Sequence, residues 1–208
     1  MFKQIYEALV VRKSISGFEY CVEKMDTKDL PSGDLLVKVN YSNINFKDAM
    51  SCLGNPSITR RFPHTPGIDA CGTIVESSDK NFAEGDSVLI ICKPMGLNSP
   101  GGFGGFIRIP SSWAFKIDKS IDQESLMAIG TAGFTAALAV EKIIESNKNN
   151  LPNKVVVSGS RGGVGIIAIM ILKHIGVKVS ALTTSEEFLN DIKSLGVDEI
   201  IISDDLIN

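Results

Sequence analysis

Histidine is nearly absent: His64 and His174 are the only two in 208 residues, and they stand far apart. The four cysteines, Cys21, Cys52, Cys71 and Cys92, are spread singly with no C-x-x-C pair. So scattered a donor set excludes a clustered zinc site and a disulfide framework, and the thiols are expected to be buried and reduced. Neither sign of charge dominates, since 21 Lys and Arg face 24 Asp and Glu for a net charge of −3. There is no basic stripe of the kind nucleic acid needs, and no cationic face for an anionic membrane. Long apolar runs are missing too. The longest, Val164 to Leu172, falls far short of the roughly 20 residues of a membrane span. The stretch MFKQIYEALV takes up charge from Lys3 onward and holds no signal-peptide core. A cytoplasmic globular protein is therefore expected, with 44% hydrophobic residues to build its core.

Short β-branched or alternating segments fill the first 120 residues or so: DLLVKVNYS (34–42), IDACGTIVES (68–77), DSVLIIC (86–92) and GFIRIPSSWAFKI (105–117). Turn clusters such as PSGD and AEGD separate them, which predicts an antiparallel barrel or sandwich. FKDAMSCLG reads as a short helix closed by Gly54, and Trp113 as a core aromatic. The pattern changes near Asp122, a helix cap candidate, after which apolar residues recur at helical spacing until the polar run ending at Pro152. Strand 155–158, helix 163–175, strand 177–182, helix 185–195 and strand 199–202 then alternate, as in a parallel sheet. Two domains are expected, 1–122 and 123–208.

The turn Ser158-Gly159-Ser160-Arg161-Gly162-Gly163-Val164-Gly165 joins the first of these strands to its helix. Free backbone N–H groups and the positive end of the helix dipole make such a place receptive to phosphate. Against G-x-G-x-x-G, Ser160 replaces the first glycine, while Gly162 and Gly165 fit the second and third. Cofactor choice is expected at the end of the second strand, where Thr183, Thr184 and Ser185 stand in place of the carboxylate that would hold the 2′-hydroxyl of NAD. Hydroxyls without a carboxylate favour NADP(H).

NFKDAM, RRFPHTPGIDACGTI, AIGTAGFTAALAV, GSRGGVG and IKSLGVDEII together resemble the zinc-independent quinone oxidoreductase branch of the medium-chain dehydrogenase/reductases, in particular its acrylyl-CoA reductase group. The resemblance implies a GroES-like antiparallel β-barrel followed by the first half of a Rossmann doubly wound parallel sheet. It implies NADPH-dependent reduction of an activated C=C bond, as in an acrylyl-CoA-like enoyl thioester, or of a quinone. No metal is implied: Asn45 and Ile68 occupy the places of the zinc-binding cysteine and histidine of related alcohol dehydrogenases, and neither can ligate zinc.

By the same resemblance Asn45 is the candidate donor to substrate or nicotinamide, with Lys47 and Asp48 behind it as further catalytic candidates. The bland alternatives are a helix-start carboxylate for Asp48 and a solvated cation for Lys47. Cofactor contacts are expected from Phe46, which stands where the group has tyrosine, from Thr131 in GTAGFT, from Ser160, Arg161, Gly162, Gly163 and Val164, and from Thr183, Thr184 and Ser185. The loop at 91–108 keeps Gly101, Gly102 and Arg108 of the group's pattern. His64 is read as a surface residue. The chain stops soon after the third strand of the parallel sheet, so strand 155–158 is expected at an open edge. A non-catalytic remnant, a subunit of a split reductase completed by a partner chain, and a homodimer are the alternatives kept open.

Overall fold

Apolar residues at the expected strands do form an antiparallel sheet. In the computed structural model, which describes residues 3–203, contacts divide the chain into two units, Met1–Thr131 and Ala132–Asn208.

In the first unit β1 (Ile5–Ser14) and β2 (Gly17–Asp26) form a hairpin. β3 (Leu35–Tyr41), β4 (Ala70–Ser77), β5 (Ser87–Ile90), β6 (Phe106–Ile109) and β7 (Phe115–Ile117) form an antiparallel sheet in the order β6-β3-β4-β5-β7. Leu35, Val37, Ile74, Val88, Ile90, Ile107 and Ile109 make its core, with Trp113 packed at the margin. Arg108 and Glu76 both stand opposite Leu36, and their 2.7 Å ion pair closes over that buried side chain. The five strands form an open sheet among the described residues rather than a closed barrel.

Several expectations need correction here. GFIRIPSSWAFKI is two strands: Pro110 has no N–H to continue the ladder, a 3-10 turn at Ser111–Trp113 follows, and β7 pairs with β5 on the opposite edge from β6. The hairpin β1–β2 was hidden because β2 lacks the apolar–polar alternation of a half-buried strand: Tyr20, Cys21 and Val22 follow one another and all three are exposed. The cysteines are all free, but only Cys71 is buried, Cys52 is half-buried, and Cys21 and Cys92 are exposed, one on that hairpin and one in a loop.

His64 is likewise buried, not at the surface. It pairs with Val11 in an isolated bridge, and its Nε2 lies 2.8 Å from the Gly96 carbonyl oxygen, to which the neutral ring donates. Burial pushes its pKa below the ordinary value of 6.5, against the upward pull of that carbonyl. The unfolded chain therefore binds more protons as pH falls, so this contribution is intact above pH 6.5 and lost on acidification through the lowered value. Urea unfolding of the first unit should shift to lower midpoints below pH 6.5, and His64→Gln should flatten that dependence.

In the second unit β8 (Lys154–Ser158), α3 (Gly163–His174), β9 (Lys178–Thr183), α4 (Leu189–Ser194) and β10 (Glu199–Ile202) build a parallel sheet in the order β10-β9-β8. Ala168, Ile169 and Leu172 of α3 pack on Val157, Val179, Ala181 and Ile192. Among the described residues β8 pairs only with β9, which leaves its other side as an edge.

α1 (Phe46–Cys52) and α2 (Gln123–Ser146) complete the elements. Asp122 caps α2, its Oδ2 accepting from Ser125 N–H at 2.9 Å. α2 is long and apolar enough to cross a membrane by length and composition alone. It is not one straight rod, however: Gly130 (φ 48°, ψ −154°) breaks it, and Ala136 and Val140 beyond the break pack in the core of the second unit.

Candidate functional site

In the first unit α1 begins at Asn45, its N-cap. Asp48, in the first turn, accepts from Asn45 N–H at 2.8 Å through Oδ2. Its Oδ1 accepts from Gly67 and Ile68 N–H, each at 3.0 Å. The side chain is 1% exposed, so this carboxylate is a bracket between the start of α1 and the loop before β4. Burial raises its pKa, opposed by the three amide bonds.

Asp69, fully buried, is the centre of a polar network that the sequence did not single out. Its Oδ2 accepts from Asn45 Nδ2 at 3.1 Å and from Thr131 N–H at 2.8 Å, and its Oδ1 accepts from the Thr131 hydroxyl. Ser42 Oγ donates to the Asp69 carbonyl at 2.6 Å. Asn45 Nδ2 also donates to Asn43 Oδ1 at 2.7 Å, and Asn43 Nδ2 to the Met127 carbonyl at 2.8 Å. A carboxylate can only accept, so it fixes which way the Asn45 amide points. Both amide hydrogens of Asn45 are therefore committed, and its carbonyl oxygen, which faces the Asp48 N–H in the capping box of α1, keeps one further lone pair for a ligand. That differs from the donor role expected of it.

Thr131 is similarly engaged, since its hydroxyl also receives Cys92 N–H at 3.3 Å. Phe46, the first helical residue, is 80% exposed, Ile44 is 85% exposed and Lys47 is exposed, so the chain on either side of Asn45 offers two apolar side chains and one cation to solvent. The signal that would have found Asp69 was available: a lone acidic residue between apolar neighbours in GIDACG is buried only when several donors meet it.

The second unit presents a different surface. Ser160 is buried, and its hydroxyl donates to the Leu182 carbonyl at 3.1 Å, tying the glycine-rich turn to the end of β9. Gly162 is the N-cap of α3 and supplies no side-chain cap. Its own N–H goes to Gly159 O at 2.9 Å, and Ile166 N–H closes the first turn on Gly162 O. The N–H groups of Gly163, Val164 and Gly165, the first three helical residues, have no acceptor within the helix. Gly162, Gly163 and Val164 are exposed, while Gly165 is buried where a Cβ would overlap the Gly159 carbonyl. Arg161 projects from the turn with its guanidinium carbon 3.6 Å from the centre of the Phe188 ring. At the end of β9 Thr183 is buried and receives Ser185 N–H at 3.4 Å, Thr184 is exposed, and Ser185 Oγ accepts from Glu187 N–H at 3.1 Å.

A family model of the alcohol dehydrogenase GroES-like domain matches residues 31–119. YhfP of Bacillus subtilis, which carries the name of a quinone oxidoreductase, is 36% identical over 202 residues. Acrylyl-CoA reductase AcuI of Ruegeria pomeroyi is 35% identical over 205. Each alignment covers 97% of this chain, with 61% and 62% of the two relatives. Over nearly its whole length the chain is similar to members of the medium-chain dehydrogenase/reductase superfamily. The yhdH oxidoreductase of Salmonella enterica, solved in complex with NADP, matches with a TM-score of 0.89 at 34% identity, over 96% of this chain and 61% of that one. YhfP with NAD bound also gives 0.89, over 99% and 62%. The GroES-like domain plus Rossmann-type sheet implied by the resemblance is thus the fold. The chain spans about three fifths of the length of these relatives.

Proposed function

We propose that this chain carries the machinery of an NADP(H)-dependent oxidoreductase that reduces an activated C=C bond of an enoyl thioester, or a quinone, without zinc. The observation that carries the reading is the uncapped, open N-terminus of α3 behind Gly162, a cradle that fits a pyrophosphate in a chain whose relatives are solved with NADP and NAD. Residues 123–208 form the dinucleotide domain in this reading, and 1–122 the substrate domain. The N–H groups of Gly163, Val164 and Gly165 hold the pyrophosphate with the help of the helix dipole, and Thr183, Thr184 and Ser185 flank the adenosine ribose.

When bound, the dinucleotide supplies a hydride. The chain's own residues bind, orient and protonate. Phe46 offers an exposed ring to a flat ligand, and Thr131, held by Asp69, keeps the Gly130 break in place. The Asn45 carbonyl oxygen orients a ligand N–H or O–H. Lys47 Nζ is the proton source for the carbanion or enolate that hydride addition leaves, and Asp48 is a positioning residue that sets the start of α1. The metal-free assignment is supported by Asn45, whose amide is donated to Asp69 and Asn43, and by Ile68, which has no ligating atom.

The test is titration of the 208-residue chain with NADPH, followed by NADPH oxidation with acryloyl-CoA and with a benzoquinone. Gly162→Asp, which sets a carboxylate against the pyrophosphate, should weaken binding by at least about 100-fold. Unchanged affinity would move the nucleotide elsewhere, and a bound nucleotide without turnover on either substrate class would remove the reductase assignment. A second reading, that another copy or a partner chain adds a strand, is favoured by the free edge of β8, where Val156 is 56% exposed. Sedimentation of the purified chain as a monomer would exclude self-pairing there.

A further inference from the structure

A 2′-phosphate on the adenosine ribose needs a cation near the end of β9, and that segment has none: Thr183, Thr184 and Ser185 are followed by Glu186 and Glu187. We propose that Arg161, reaching across from the glycine-rich turn and held by Phe188, binds the 2′-phosphate and sets the preference for NADP(H). The proposal rests on the dinucleotide reading above and specifies which residue of that site reads the phosphate.

Three observations place the guanidinium there. The Ser160 hydroxyl bond to Leu182 O pins the turn to the penultimate residue of β9, so the next residue, Arg161, emerges beside the strand end. Phe188, in the left-handed conformation (φ 76°) as N-cap of α4, lies with its ring against that guanidinium at 3.6 Å. Both residues line one cavity of about 400 Å³ with Ser160, Ile166, Asp191 and Leu195. That volume falls in the range of small-ligand sites. Stacking on a ring face holds a guanidinium by its plane and leaves the N–H groups at its edge free to fork onto phosphate oxygens. Arg161 forms no ion pair among the described residues, so no carboxylate competes for that edge. Asp191 is the opposing group in the same cavity, where a carboxylate suits a ribose hydroxyl and repels a phosphate.

Calorimetric titration of the full chain with adenosine 2′,5′-bisphosphate and with 5′-AMP tests this, alongside NADP⁺ and NAD⁺. The wild type should favour each 2′-phosphorylated ligand by at least about tenfold, a preference that shrinks with salt. Arg161→Ala should remove most of that preference while changing 5′-AMP affinity by less than about threefold, and Phe188→Leu should remove part of it. Circular dichroism confirms that the variants fold. A preference that survives Arg161→Ala overturns the proposal and leaves the dinucleotide reading standing. So does tighter binding of the unphosphorylated ligands, reversed by Asp191→Asn. A folded wild type that binds none of the four ligands overturns the dinucleotide reading itself.

Discussion

Asp48→Ala is expected to destabilise the first unit by about 3–5 kcal/mol, because three backbone N–H groups, those of Asn45, Gly67 and Ile68, lose their acceptor at once inside the protein. Each orphaned buried donor costs about 1–3 kcal/mol, and local relaxation recovers part of the sum. The chain has one tryptophan, Trp113, and it lies in this unit, so its fluorescence on urea unfolding reports the effect without interference from the second unit. Asp48→Asn should cost less, since an amide oxygen still serves Gly67 and Ile68 while its NH₂ meets the Asn45 N–H. An alanine variant within about 1 kcal/mol of wild type would show that water replaces the carboxylate and that the bracket is dispensable.

The second large effect is expected at Gly130. Its φ of 48° and ψ of −154° belong to a region used almost only by glycine, and a Cβ there would overlap Asn43 Nδ2 and stand 2.7 Å from Asp69 Oδ2. Gly130→Ala must therefore straighten the helix or displace the network that orients Asn45, at about 3 kcal/mol or more. The side-chain amide resonances of Asn43 and Asn45 should shift together. Gly85→Ala is the control: φ is also positive (84°) but a Cβ meets nothing within 4 Å, so only the left-handed backbone cost of about 1–2 kcal/mol is expected. Equal losses for the two variants would mean that backbone conformation alone, and not the Asn43–Asp69 contact, explains Gly130.

Much of this was legible beforehand because it is local. The strand, turn and helix around GSRGGVG need only neighbouring residues: an apolar run, a glycine where the chain packs tightly, and a helix that follows. The short helix after Asn45 and the Asp122 cap were readable for the same reason. AIGTAGFTAALAV, in contrast, has helical spacing throughout, and nothing in its neighbours announces the break at Gly130. The break exists because Asp69, 61 residues earlier, receives Thr131 N–H and hydroxyl and requires them in one place.

The same division runs through the candidate site. The residues themselves determined the alternation of strands and helices in the second unit, the glycine-rich turn between β8 and α3, and the absence of ligating side chains at positions 45 and 68. Only the tertiary structure decided that the Asn45 amide hydrogens are spent on Asp69 and Asn43, that Asp48 is a bracket, that His64 is buried, and that Arg161 lies over the Phe188 ring. Helix and turn preferences act over a few residues. What a polar side chain does depends on which buried donors and acceptors the folded chain brings to it, and those come from positions remote in the sequence.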